Sequence, residues 1–289
     1  MSAILVTGAT GHYGQATITS LLNKGVKPQT ITALVRDESK AETLKELGVN
    51  IVYGNYEDYN SLVRAFSDIE KLVLVSGSDL EKRTEQQLNV VKAAKEAGVQ
   101  HILYTSVERK TERETSPIQF VLGSHLATEK AIKESGMTYT LLRNNLYMDL
   151  LPWFLGENVL ENGIYLPAGS GKIGFALRAE MAESVANILI TEGHENKSYT
   201  ISGEAVSFEE IAKILSEISG KEVSYTSPDP ETYIRTVTTA GMPEMFANMF
   251  GGFSQAGSEG ELNSENSDME RLLGRKPTSV TAFLKQLYQ

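Results

Sequence analysis

Residues 4–14 read Ile-Leu-Val-Thr-Gly-Ala-Thr-Gly-His-Tyr-Gly, and no other stretch constrains the fold as strongly. An apolar run of strand-forming residues breaks into glycines at Gly8, Gly11 and Gly14, and helical periodicity follows. The pattern reads as strand, tight turn and helix. Gly8 permits the turn, Gly11 lets the backbone approach a pyrophosphate, and Gly14 lets the helix lie close on the strand. The free N–H groups and positive dipole end of such a helix favour phosphate. The spacing is G-x-x-G-x-x-G rather than G-x-G-x-x-G, and three glycines alone are a weak signal. Their place a few residues after Met1, where the first strand of a dinucleotide-binding fold belongs, strengthens it.

The first half continues this alternation. Short apolar runs over 4–7, 30–35, 50–53, 71–75, 101–104 and 138–142 predict strands. Between them, 15–23, 39–47, 60–66, 84–97 and 126–134 predict helices, four of them stopped near Gly25, Gly48, Gly98 and Gly136. Strand and helix in strict alternation imply an α/β fold, a Rossmann-type doubly wound parallel sheet that binds ligands beyond its C-terminal strand ends. After about residue 150 the rhythm changes. Helices are expected over 178–190, from the capping box Ser207-Phe-Glu-Glu210 to Gly220, over 231–250, 268–273 and 279–287. Strands are expected over 199–202 and 222–226. Residues 251–267, rich in Gly, Ser, Asn and Glu, read as a mobile loop. The division is thus a Rossmann domain over 1–150 and a smaller C-terminal α/β lobe over 151–289, partly interleaved with it. Trp153 and Phe154 read as the seam between the two.

Composition removes several chemistries. There is no cysteine, so disulfides, thiolate nucleophiles and iron–sulfur ligation are out. Four scattered histidines offer no metal-binding pair. The formal charge of −10 disfavours a nucleic-acid groove, and Glu81-Lys82-Arg83 and Glu108-Arg109-Lys110 read as solvated mixed-charge faces. No basic-then-apolar leader opens the sequence, and no apolar run is long enough to span a bilayer, so the cytoplasm is the expected location.

The second expected strand ends Val35-Arg36-Asp37. Arg36 stands where the adenosine ribose 2′ position is read, and a guanidinium there suits a 2′-phosphate. Asp37 beside it could hold ribose hydroxyls instead, so NADP(H) is preferred and NAD(H) remains open. Residues 54–58 stand at the expected adenine edge and Ser76-Gly77-Ser78 at the nicotinamide-side ribose, although each also reads as an ordinary polar turn.

Enzymes with this glycine pattern that reduce ketones or epimerise sugars carry a Tyr-x-x-x-Lys pair to shuttle the proton. None of the twelve tyrosines here has a lysine four residues later. His125 stands where that tyrosine would be. It could donate a proton, or it could be a structural histidine.

Thr7-Gly-Ala-Thr-Gly11-x-x-Gly14, Tyr104-Thr-Ser106, His125-x-x-Thr-Glu129-Lys130, Ser135-Gly-x-x-Tyr-Thr-Leu-Leu-Arg-Asn144 and Tyr147 together resemble the NmrA-like atypical short-chain dehydrogenases/reductases. Within that group the pattern is most similar to the type-2 NAD(P)H:quinone oxidoreductases, with triphenylmethane dye reductases also similar. The resemblance covers residues 1–200 with specific motifs. It implies NADPH as hydride donor and a quinone over the nicotinamide. It places Gly8, Thr10, Gly11, Tyr13, Gly14 and Arg36 at the phosphates, and Ser76, Thr105 and Lys130 near ribose and nicotinamide. Asn144 and Tyr147 fall near the acceptor, with His125, Lys130 and Tyr147 as the catalytic set. Related enzymes carry tryptophan where Leu146 stands, which leaves the acceptor open.

Chemistry accommodates the missing pair. Hydride transfer to a plain ketone builds a strongly basic alkoxide, whereas a quinone yields a phenolate that water can protonate. The expected protein is an NAD(P)H-dependent oxidoreductase acting on quinone-like acceptors, with a homodimer possible. A non-catalytic NAD(P)-sensing regulator of NmrA type, working through a protein partner, is the alternative.

Overall fold

The computed structural model describes residues 3–289. Seven strands form one parallel sheet in the order β3-β2-β1-β4-β5-β6-β9. They are β1 (Ile4–Val6), β2 (Ile31–Val35), β3 (Asn50–Tyr53), β4 (Lys71–Leu74), β5 (His101–Val107), β6 (Thr138–Asn144) and β9 (Lys197–Ile201). The order reverses between β1 and β4, and this reversal opens a crevice at their C-terminal ends.

Side chains alternate across each strand and build a core on either face. Ile4, Val6, Val73, Leu103 and Leu142 point to one side. There they meet α1 (His12–Asn23), α2 (Glu42–Glu46), α8 (Arg178–Ile190) and α12 (Met269–Leu273). Leu5, Leu72, Leu74, Ile102 and Leu141 point to the other side. They pack on α3 (Tyr59–Ala65), α4 (Arg83–Glu96) and α5 (Gln119–Glu134). Each fully buried leucine or isoleucine contributes ~1.5–3 kcal/mol.

A third cluster gathers the remaining elements around Phe154, Phe175, Phe208 and Phe250. These are α6 (Leu151–Leu155), α7 (Val159–Asn162), α9 (Phe208–Ser219), α10 (Pro230–Thr239), α11 (Glu244–Ser258) and α13 (Val280–Tyr288), with the two-residue strands β7 (Ile164–Tyr165), β8 (Lys172–Ile173), β10 (Val206–Ser207) and β11 (Tyr225–Thr226). The Ser207–Glu210 capping box forms in full at the start of α9. Residues beyond 150 also complete the main sheet, because β9 pairs with β6 in parallel.

Residues 251–267 depart from the loop expectation. Helix α11 continues to Ser258. Its glycines serve close packing rather than turning: a Cβ on Gly252 would lie 2.7 Å from the Pro117 carbonyl, and one on Gly257 would lie 2.8 Å from Ile173. The chain beyond is tethered as well, since Glu261 accepts from the Lys110 and Thr111 amides at 3.1 and 2.9 Å and Asn145 donates to the Leu262 carbonyl at 2.8 Å. The expected 231–250 helix is divided, because Gly241-Met242-Pro243 separates α10 from α11. Among the described residues, no helix is long and apolar enough to cross a membrane, and no group of His, Asp or Glu is arranged to hold a metal.

Candidate functional site

The glycine turn lies at the crevice. Gly8 has φ +58°, and a Cβ there would sit 3.2 Å from that of Val75. A Cβ on Gly14 would come within 2.4 Å of the Gly8 carbonyl, so only glycine lets α1 seat on the turn. Gly11 caps α1 without a side-chain hydrogen bond, and no acidic residue occupies its first turn. The first N–H groups of the helix therefore face outward between exposed Thr10, Gly11 and His12, with the dipole favouring an anion. Thr7 braces the turn from below, accepting from the Val75 amide at 3.0 Å and from the Tyr56 hydroxyl.

Arg36 is exposed just beyond β2. Asp37 is occupied locally, its carboxylate accepting from the Ser39 amide at 3.0 Å and the Ser39 hydroxyl at 2.7 Å. Those bonds, from hydroxyl and amide, lower its pKa. The neighbouring arginine is thus the freer group for a 2′ substituent. At the next strand ends, Ser76 and Thr105 are joined: the Ser76 amide donates to Thr105 Oγ1 at 2.8 Å, and Thr105 Oγ1 donates to Ser76 Oγ at 3.3 Å.

Tyr13, Asn144 and Tyr147 converge at the end of β6. Asn144 Nδ2 donates to the Tyr13 hydroxyl at 3.4 Å, and the two tyrosine rings lie 6.3 Å apart. The Tyr13 side chain is thus directed at Asn144, while its backbone N–H stays in the first turn of α1. The Arg178 guanidinium lies 5.5 Å over the Tyr147 ring. Burial raises the pKa of both phenols, so they act as neutral hydrogen-bonding groups. Asn144 Oδ1 is sealed and unpaired, an orphaned acceptor at the inner wall.

Two expectations need correction. Lys130 is outside the site: its side chain is 75% exposed and faces Glu134 at 3.9 Å. Five residues along a helix from His125 is a rotation of roughly 140°, so both cannot face the sheet. His125 is buried, with Nδ1 2.7 Å from the Tyr104 hydroxyl. Burial first, then the charge of Arg83, push its imidazole down to about 3. It is therefore neutral at physiological pH and is no imidazolium acid.

Sequence reasoning missed two buried polar groups on α5 and its neighbours. Glu129 accepts from Arg109 at 2.6 and 2.9 Å, from Arg143 at 3.0 Å and from Ser106 at 2.6 Å. Burial alone would raise its pKa, but the Arg109 and Arg143 bonds outweigh that and hold it at about 2. Arg83, Gln87, Tyr104, Ser124 and Thr128 form a second, uncharged-partner network around His125. The mixed-charge runs read as solvated faces thus contain three buried residues, Arg83, Glu108 and Arg109. The available signal was the pairing of Tyr104-Thr-Ser106 with His125-x-x-Thr-Glu129, which places hydroxyls opposite one inward face of α5.

The profile of the NmrA-like family matches residues 1–284. The chain belongs to the NmrA-like family. Quinone oxidoreductase 2 of Escherichia coli (strain K12) is 34% identical to this NmrA-like chain over 289 residues, spanning 99% of it and 98% of the relative. An NAD(P)H azoreductase of Xenophilus azovorans is 28% identical over 98% of the chain and 96% of its own length. Among solved structures, the E. coli NADPH-dependent quinone oxidoreductase complexed with NADPH superposes with a TM-score of 0.91 at 33% identity, covering 99% of this chain and all of that one (100%). The Citrobacter sp. triphenylmethane reductase complexed with NADP(H) gives 0.88 at 39% identity, covering 98% and 99%.

Proposed function

We propose that this NmrA-like protein is an oxidoreductase that takes hydride from NADPH, with NADH as a weaker donor, and delivers it to a quinone or similar conjugated electrophile. The observation that carries this reading is the crevice itself. It joins an uncapped glycine turn to a Tyr13–Asn144–Tyr147 wall that holds no group ready to give up a proton near neutral pH. Such a wall suits an acceptor whose reduced oxygen is weakly basic.

The turn at Gly8, Thr10, Gly11 and Gly14 would hold the pyrophosphate, and Arg36 the 2′-phosphate. Ser76 and Thr105 would line the nicotinamide-side ribose, with Asn144 and Tyr147 against the acceptor. The bound dinucleotide supplies the hydride. Tyr13 and Asn144 fix the inner wall, and Arg178 holds the Tyr147 ring in place. The named activities of the relatives, on quinones, azo compounds and triphenylmethane dyes, share electrophilic conjugated acceptors and support the same reading.

The test mixes purified protein with NADPH and a small quinone without oxygen and follows nicotinamide absorbance. Steady oxidation dependent on both components is expected. Saturable binding with no turnover across a broad acceptor panel would overturn the enzyme reading and turn it toward an NAD(P)-sensing regulator. Arg36→Ala is expected to weaken NADPH by roughly 10–100-fold through loss of charge-assisted bonds and to leave NADH nearly unchanged. Equal losses for both would remove Arg36 from the phosphate.

A further inference from the structure

A continuous chain of hydrogen bonds runs from the end of β4 to His125. The Gly77 amide donates to Gln87 Oε1 at 3.2 Å. Because an amide N–H can only donate, this fixes which end of the Gln87 side chain is oxygen. Gln87 Nε2 then donates to the Tyr104 hydroxyl at 3.1 Å and to Thr128 Oγ1 at 2.8 Å. Thr128 spends its own proton on the Ser124 carbonyl at 2.7 Å. The Tyr104 oxygen accepts from Gln87, and we assign its hydroxyl, 2.7 Å from His125 Nδ1, as the donor to that ring nitrogen. With Nδ1 assigned as the acceptor, the single proton of the neutral imidazole sits on Nε2.

Nε2 has no hydrogen-bond partner among the described residues. It is also not one of the sealed, unsatisfied polar atoms, which are Glu108 Oε2, Arg109 Nε, Gln119 Oε1, Asn144 Oδ1 and Ser254 Oγ. A donor that is neither paired nor sealed is available to a ligand. His125 lies in the second turn of α5, and its partner Tyr104 directly precedes Thr105, the β5 residue that binds the Ser76 amide beyond β4.

Charged groups reach the ring from three elements: Arg83 on α4, Glu129 on α5 itself, and Arg109 in the segment between β5 and α5. Arg83 is buried and bonds only neutral groups, namely Ser124 Oγ at 2.8 Å and the Val121 and Gly77 carbonyls at 2.9 and 3.4 Å. Its charge also acts on Tyr147. An uncompensated guanidinium beside the imidazole opposes a second proton on the ring.

We propose that His125 is a catalytic hydrogen-bond donor in its neutral form, presenting Nε2–H to the acceptor oxygen on which negative charge gathers, with Gly77, Gln87 and Tyr104 positioning the proton. It rests on the oxidoreductase reading above and deepens it. In the balanced step, quinone, NADPH and one proton become hydroquinone and NADP+. The nicotinamide C–H bond breaks, that hydrogen bonds to the acceptor, and the displaced electron pair rests on the acceptor oxygen, which takes its proton from water. The imidazole keeps its own proton throughout. A neutral donor aimed at a developing oxyanion lowers the barrier without needing a matched pKa.

The test compares His125→Leu and the conservative His125→Gln with two acceptors. A quinone develops charge on oxygen, whereas a triphenylmethane cation accepts hydride on carbon and does not. His125→Leu is expected to lower kcat for the quinone about tenfold, leave NADPH affinity unchanged, and leave dye turnover within about twofold. His125→Gln, which restores an N–H, recovers part of the quinone rate. Equal losses for both acceptors, or an unchanged quinone rate, would overturn the assignment while leaving the oxidoreductase reading intact. A wild-type protein idle toward both acceptors would sink that reading instead. Nitrogen-15 NMR of the ring is independent of turnover. Protonation on Nε2 alone, without titration from about pH 8 to pH 5, is expected, and an Nδ1–H tautomer or a midpoint near the ordinary histidine value of ~6.5 would contradict it.

Discussion

Helix α5 buries two polar clusters one turn apart, and they solve the same problem in opposite ways. Around Glu129 a full negative charge is taken out of water and met by Arg109, Arg143 and Ser106, so that every acceptor lobe is used. Around His125 the ring stays neutral, is held by one hydroxyl, and leaves a donor unspent, while the neighbouring Arg83 has only neutral partners. The one unpaired donor of the compensated cluster, Arg109 Nε, is sealed, so that cluster offers nothing to a ligand and ties β5, β6 and α5 together. The uncompensated one is the cluster with capacity to bind. Polar burial is thus structural where it closes on itself and functional where a bond is left open.

The largest effect expected from this contrast is on stability. Glu129→Leu takes from Arg143 its ion-pair partner and leaves buried Arg109 with Glu112 alone, and urea unfolding should show a loss of about 3–5 kcal/mol. A loss below ~1 kcal/mol would mean that the cluster does not hold the strands.

The second effect separates the clusters by pH. The His125 imidazole is lowered from 6.5 to about 3 in the fold, so the unfolded chain binds its proton first. Its contribution is complete above about pH 6.5 and declines as pH falls toward 3, by about 2 kcal/mol between pH 7 and pH 5. Glu129, lowered from 4.5 to about 2, keeps its contribution above 4.5 and loses it only as pH falls toward 2. His125→Asn should therefore flatten the stability profile between about pH 7 and pH 5 but leave the steeper acid limb. His101, lowered to about 4 chiefly by burial, retains part of the upper slope in that variant. An unaltered slope in His125→Asn would place the titrating group elsewhere.

The smallest effect concerns Lys130. Its pair with Glu134 is exposed, so Lys130→Ala should change stability by no more than ~0.5 kcal/mol and leave turnover unchanged. A substantial fall in kcat would return Lys130 to the site.

Legibility in the sequence followed the periodicity of each segment. The strands ending at Val6, Val35, Leu74 and Asn144 are apolar runs bounded by glycine or polar turns, and such runs announce a parallel sheet directly. The Gly8–Gly14 turn was legible because each glycine answers a backbone requirement. Arg83 and Arg109 were not, because a local run of mixed charge looks the same whether it faces water or a partner brought from α5. Gly252 and Gly257 misled because glycine marks both turns and close helix contacts, and only the tertiary neighbours, Pro117 and Ile173, tell the two apart. Lys130 was recoverable in principle, since its helical phase sets it apart from His125 and Glu129.

The central claim, that the opening glycine turn grips a dinucleotide, is tested most directly by calorimetric titration of NADPH into the wild-type protein and into Gly14→Ala. Saturable one-to-one binding to the wild type is expected, lost in a variant whose new Cβ would collide with the Gly8 carbonyl at 2.4 Å. Absence of binding to the wild type, or equal affinity in a folded Gly14→Ala, would contradict the account.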